Sequence, residues 1–134
     1  MRKYLLDTHT LIWAISHSNN LSKPVLKILQ DNDSQLFVSA VSFWEMAIKH
    51  GKGKMNWENL QIQEVPDYCE ILGIELIPLT PDEAINYSNL PFYENHEDPF
   101  DRMLIYQCIK SNYTLISRDD KMKFYENDGL ECIW

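Results

Sequence analysis

The sequence predicts an α/β fold in which a parallel sheet is covered by helices on both faces. Three observations carry this expectation. Short aliphatic runs alternate with stretches of helical apolar spacing along the chain, the segments joining them are short, and no repeat or low-complexity stretch interrupts the order. At 134 residues the chain has the size of one domain, 1–134, long enough to bury roughly two thirds of its unfolded surface. Short connections favour an open, doubly wound sheet, whose sites form beyond the carboxyl ends of the strands where the strand order reverses.

Residues 3–6 form the first expected strand, and Leu11, Ile12 and Ile15 then repeat at helical spacing, so a sharp turn at Asp7 leads into a helix. Ser22 is a candidate N-cap with Pro24 near the helix start, and Val25, Ile28 and Leu29 make the apolar stripe of a second helix that runs up to Asp31-Asn32-Asp33. A strand over 35–39 precedes a helix over 41–50, which Gly51-Lys52-Gly53 stops. A helix over 66–73 ends at a glycine, a strand follows over 74–79, and Pro81 leads a helix over 81–90. Residues 91–97 read as a polar loop. The clearest helix runs over 98–111, followed by a strand over 113–117, a short helix over 119–125 and a last strand over 130–134.

With 45% hydrophobic and 24% charged residues the chain has globular usage, which excludes disordered and fibrous classes. Its longest uncharged apolar stretches, such as 36–44, fall far short of the roughly 20 residues that span a bilayer. Asp7 interrupts the opening apolar run before a signal-peptide core develops, so a cytoplasmic, non-membrane protein is expected. Cys69, Cys108 and Cys132 are odd in number and widely separated, which suits reduced thiols. The 20 acidic and 12 basic residues give a net charge of -8. That excludes a protein that coats nucleic acid by bulk charge, and nucleic-acid chemistry would need cations or local basic patches.

The carboxylates hold the chemistry. Asp7 and Asp119 follow two expected strands, so a parallel sheet brings both to the same edge, where each also suits a helix N-cap. Glu45 shares a helix face with Val41, Trp44 and Ile48. It is either a buried acid in need of a partner or the N3 residue of a capping box with Ser42 as N-cap. In His96-Glu97-Asp98-Pro99-Phe100-Asp101-Arg102, Asp98 is the expected N-cap, while Asp101 heads the face that continues through Leu104, Ile105, Cys108 and Ile109. Four carboxylates around one desolvated edge repel one another, and a hard divalent cation resolves the repulsion. Oxygen donors without Cys or paired His fit Mg2+ or Mn2+ better than zinc. His9 and His96 read as residues of the surface or of the layer behind the site.

Four segments in this order, L-L-D-T-H-T-L (5–11), S-A-V-S-F-W-E-M-A-I-K (39–49), H-E-D-P-F-D-R-M-L-I (96–105) and L-I-S-R-D (115–119), together resemble the PIN-domain ribonucleases of the VapC toxin family over nearly the whole chain. The resemblance implies a PIN-like α/β/α sandwich with a five-stranded parallel sheet, dependence on Mg2+ or Mn2+, an RNA substrate, a homodimer and a small antitoxin partner. It matches Asp7, Glu45 and Asp101 to the family's acidic residues and Asp119 to its fourth acidic position. Asp98 is an extra carboxylate and a further candidate ligand, with Asp101 favoured on face geometry. Ser117 stands where the family often has a threonine, suited to orienting Asp119 or a water.

The implied mechanism is metal-assisted hydrolysis of RNA. Lys49, His50, Lys52 and Lys54 follow the Glu45 helix, and Arg102, Arg118, Lys121 and Lys123 flank the other acids; these are candidates for the RNA backbone or ordinary solvated cations. Trp13, Phe43, Trp44 and Trp57 exceed the needs of a small core and are candidates for antitoxin contact. Two other functions share parts of this pattern. A haloacid-dehalogenase-like phosphatase needs a second aspartate two residues after the first, where this chain has His9. A non-enzymatic binding module would use the same acids as helix caps alone.

Overall fold

A computed structural model of the chain describes residues 1–53 and 60–134. Its strands are β1 (Arg2–Leu6), β2 (Ser34–Ser39), β3 (Ile74–Ile77), β4 (Thr114–Ile116) and β5 (Glu131–Ile133). Its helices are α1 (Thr8–Ser16), α2 (Lys23–Gln30), α3 (Ala40–Gly51), α4 (Val65–Ile71), α5 (Pro81–Asn86) and α6 (Pro99–Ser111). All five strands pair in parallel, in the order β3-β2-β1-β4-β5. This is the PIN-like sandwich that the sequence motifs imply.

Side-chain alternation along the strands builds two cores. Tyr4, Leu6, Leu36, Val38 and Ile116 face α1, α2 and α4, whereas Leu5, Phe37 and Leu115 face α6 and the segment 120–128. Each fully buried Leu, Ile or Val contributes about 1.5–3 kcal/mol, so both faces drive closure of the same sheet.

Local chemistry sets most boundaries. Ser22 Oγ accepts from Val25 N at 3.2 Å and starts α2, and Asn112, left-handed at φ 58°, ends α6. Three expectations change. Helix α3 starts from Ser39, whose Oγ accepts from Val41 N at 3.1 Å, so Ser42 is not the cap and Glu45 lies inside the helix. The capping box is instead formed by Thr80 and Glu83. The helix expected over 81–90 divides into α5 and a 3-10 turn (Tyr87–Asn89), and the one over 119–125 is a 3-10 run (Asp120–Asp128). Lys54 and Trp57 lie outside the described residues.

The strand order reverses between β1 and β4, and the candidate acids gather there. Asp7 N donates to Ile116 O at 3.1 Å, and Thr10 Oγ1 donates to the same carbonyl at 3.0 Å, which locks the start of α1 onto the end of β4. Among the described residues no helix is long and apolar enough to cross a membrane.

Candidate functional site

Asp7 caps α1. Its Oδ1 accepts from Thr10 N at 2.8 Å, and its carboxylate also hydrogen-bonds the Ser117 hydroxyl. Burial nonetheless raises its pKa, because desolvation outweighs those hydrogen bonds. Ser117 Oγ in turn accepts from Asp119 N at 3.1 Å, so one hydroxyl links the acid after β1 to the acid after β4. Asp119 also caps the 3-10 run through Lys121 N at 3.0 Å, and it is exposed.

Glu45 is buried on α3 with both oxygens engaged. Thr8 Oγ1 is 2.5 Å from Oε1 and 3.0 Å from Ser42 Oγ, and the Lys49 ammonium, one turn along the helix, pairs with Oε2. Partial burial opposes the charge on Lys49, but Glu45, then Asp98 and Asp101, outweigh that and raise its pKa. A lysine has thus been drawn in among the carboxylates.

The start of α6 completes the cluster. Asp98 Oδ1 accepts from Phe100 N at 2.8 Å and Asp101 N at 3.1 Å, which consumes that oxygen as a cap. The Asp101 carboxyl is pushed up to about 8, first by burial and then by the charges of Asp98, Glu45, Asp7 and Asp119. Every candidate acid therefore bears on one point. His96, expected at the surface or in the layer behind the site, lies in the interior. It is 2% exposed, with Nδ1 2.8 Å from Tyr125 Oη and Nε2 3.6 Å from Asp101 Oδ2. Ligand atoms of His96, Asp101 and Asp119 all lie within 4.8 Å of one another. Its position two residues before the Asp98 cap was the available signal. What buries it is the Tyr93–His96 turn, closed by His96 N donating to Tyr93 O at 2.9 Å.

This donor set fits a hard divalent cation. Carboxylate oxygens dominate, and the proton retained by Asp101 occupies the electrostatic place that a cation would take.

The candidate cations separate. Arg102 is corrected from surface contact to interior strut: it is 5% exposed, and its guanidinium donates to Tyr87 Oη, Pro91 O, Tyr125 Oη and Leu90 O at 2.9–3.3 Å. Lys49 is spent on Glu45. Lys52 and Arg118 are exposed, and Arg118 lies 6.0 Å over the Trp13 ring. It borders an open cleft of about 350 Å³ that Asp7, His9, Trp13 and Asp119 also line. Of the aromatics singled out, Trp13 and Phe43 are half-buried, while Trp44 is 59% exposed and packs edge-on against Phe100 at 5.3 Å.

Known proteins share this arrangement of chain and fold. Ribonuclease VapC22 of Mycobacterium tuberculosis is 23% identical over 141 residues, covering all of both chains. The fold matches VapBC2 from Rickettsia felis, crystallised bound to a DNA fragment from their promoter, with a TM-score of 0.65 and 19% identity over 98% of this chain and 97% of that one. It also matches VapBC-1 from nontypeable Haemophilus influenzae, with a TM-score of 0.64 and 19% identity over 98% and 96% of the two chains. The PIN domain profile aligns with residues 4–130, and the chain belongs to the PIN-domain family.

Proposed function

We propose that the chain is the toxin of a toxin–antitoxin pair, an endoribonuclease that hydrolyses RNA phosphodiesters with Mg2+ or Mn2+ held by Asp7, Asp101 and Asp119. The observation that carries this is the convergence of acids from four separate segments on the half-buried Asp101 carboxyl. The relationship to a ribonuclease over the full length supports it.

Each residue has a task in that reading. Asp7, fixed by Thr10 N–H and Ser117, and Asp119, presented by the Ser117 hydroxyl, define one wall of the cation site. Asp101 closes it from the start of α6, with Asp98 adding charge while capping the helix. Glu45 anchors Lys49, which places a fixed positive charge where phosphate charge develops. When bound, the divalent cation supplies Lewis acidity and a water of lowered pKa. Arg118 and Lys52 are exposed at the surface, where they can meet the RNA backbone.

The antitoxin fits an apolar groove of about 360 Å³ beside the acids, lined by Val41, Trp44, Leu79, Tyr87, Phe100 and Met103. A small partner laying an apolar segment there and directing a basic side chain toward the cleft would inhibit cleavage. The active unit is a cytoplasmic homodimer.

Cleavage of single-stranded RNA by the purified chain with Mn2+, and its loss with EDTA or in Asp7→Asn, tests the nuclease. Equal cleavage in EDTA defeats the reading. Trp44→Ala should weaken capture of the small partner without loss of folding.

A further inference from the structure

His96 Nε2 is buried and has no hydrogen-bond partner, an arrangement folded proteins rarely leave unexplained. It points into the acidic cluster, 3.6 Å from Asp101 Oδ2. Two roles fit that position: a nitrogen ligand for the cation, or an N–H donor to Asp101.

The far side of the ring decides between them. Arg102 Nη1 donates to Tyr125 Oη at 2.9 Å, and an arginine has no other option, since its guanidinium carries only donors. Tyr125 Oη must then place its own proton, and His96 Nδ1 at 2.8 Å is the acceptor in reach among the described residues. An Nδ1 that accepts from a phenol is bare. The proton of the neutral ring therefore sits on Nε2, and the lone pair a metal would need is not on the side facing the cluster. The opposite tautomer would make Tyr125 Oη accept from both Arg102 and His96, stranding the phenolic proton in the interior.

We propose that His96 is a positioning residue of the cation site, its Nε2–H turned toward the Asp101 carboxylate 3.6 Å away so that it can orient that group, with Arg102 and Tyr125 fixing the tautomer from behind. This rests on the nuclease reading for its purpose but not for its geometry. The sequence H-E-D-P-F-D-R then divides its labour: Asp98 caps α6, Asp101 faces the cation, His96 orients Asp101, and Arg102 orients His96 through Tyr125.

The test has a structural arm and a binding arm. Long-range proton–nitrogen correlation spectra of the metal-free wild type at pH 8, with the His96 signals identified by their loss in His96→Gln, should show Nε2 protonated and Nδ1 bare. The reverse tautomer overturns the proposal. Mn2+ affinity, measured by calorimetry, should fall about 10–100-fold in His96→Ala, the usual cost of losing a residue that orients a ligand, and stay within about threefold of wild type in His96→Gln, which keeps an N–H donor. An unchanged affinity in His96→Ala, or an equal fall in both, overturns it. So does strong nitrogen hyperfine coupling to bound Mn2+ in the wild type, which would make His96 a ligand. If the wild type binds no Mn2+, the nuclease reading fails, and the tautomer alone decides the role of His96.

Discussion

Asp98 and Asp101 stand three residues apart and do different things. Asn caps a helix nearly as well as Asp, so Asp98→Asn should leave stability within a few tenths of a kcal/mol and retain most activity, whereas Asp101→Asn should cost on the order of a hundredfold or more in cleavage rate. A parallel assay of both variants at saturating Mn2+ checks this, and the opposite ranking would move the cation to Asp98. The retained proton on Asp101 has a thermodynamic counterpart. Its pKa is raised to about 8 in the fold, so the unfolded chain releases a proton that the native state keeps, and stability falls as pH rises toward 8. Burial lowers the pKa of His96 from its ordinary 6.5, which costs stability only as pH falls below that value. The metal-free melting temperature should therefore drop between pH 6.5 and 8, where His96 imposes no cost and Asp101 still releases its proton on unfolding. Saturating Mn2+ should remove the drop, and Asp101→Asn should flatten it. A flat profile for the metal-free wild type would show that Asp101 is ionised throughout.

At the scale of elements, α3 and α6 carry polar residues whose partners lie far away in sequence. Glu45 was legible as an acid on an apolar face, but not as the partner of Thr8, 37 positions earlier. Thr8→Val leaves Glu45 Oε1 without a donor and should cost about 1–3 kcal/mol in denaturant unfolding. Arg102 departs from its sequence expectation for a related reason. It follows Asp101 directly, but the helical step turns it away from the acids and into the segment 87–93, whose position nothing in the local pattern reveals. Arg102→Gln should therefore lower stability by about 2–3 kcal/mol and leave the salt dependence of RNA binding unchanged. Loss of RNA affinity in a variant as stable as wild type would return Arg102 to the surface. The strands were legible because their aliphatic runs are bounded by turn and cap residues. The ends of α5 and the 3-10 run before β5 were not, since helix type in short polar segments is decided by packing.

For the molecule as a whole, the net charge of -8 opposes RNA, so approach depends on local exceptions. Arg118, exposed beside the acidic cleft, is such an exception: Arg118→Gln should raise KM with little change in kcat and reduce the salt slope of RNA binding by about 1. The order of elements and the sheet were readable because both faces of every strand must be covered, and alternating strand and helix has few other ways to achieve that. The gathering of the acids followed from that topology. The ring of polar contacts behind them did not, because it joins residues that only the closed sheet brings together.

Ser117, the hydroxyl that ties Asp7 to Asp119, is itself held by β5, since its N–H donates to Ile133 O at 3.2 Å. Asp7, the acid after β1, enters a cleft that is braced by a strand more than a hundred residues further along the chain. A ribosome-bound chain that has not passed β5 thus carries all but one of its strands without a working edge. On the proposed nuclease reading, cleavage should begin only once the sheet is complete, which would give an inhibitory partner made alongside the chain an interval in which to arrive.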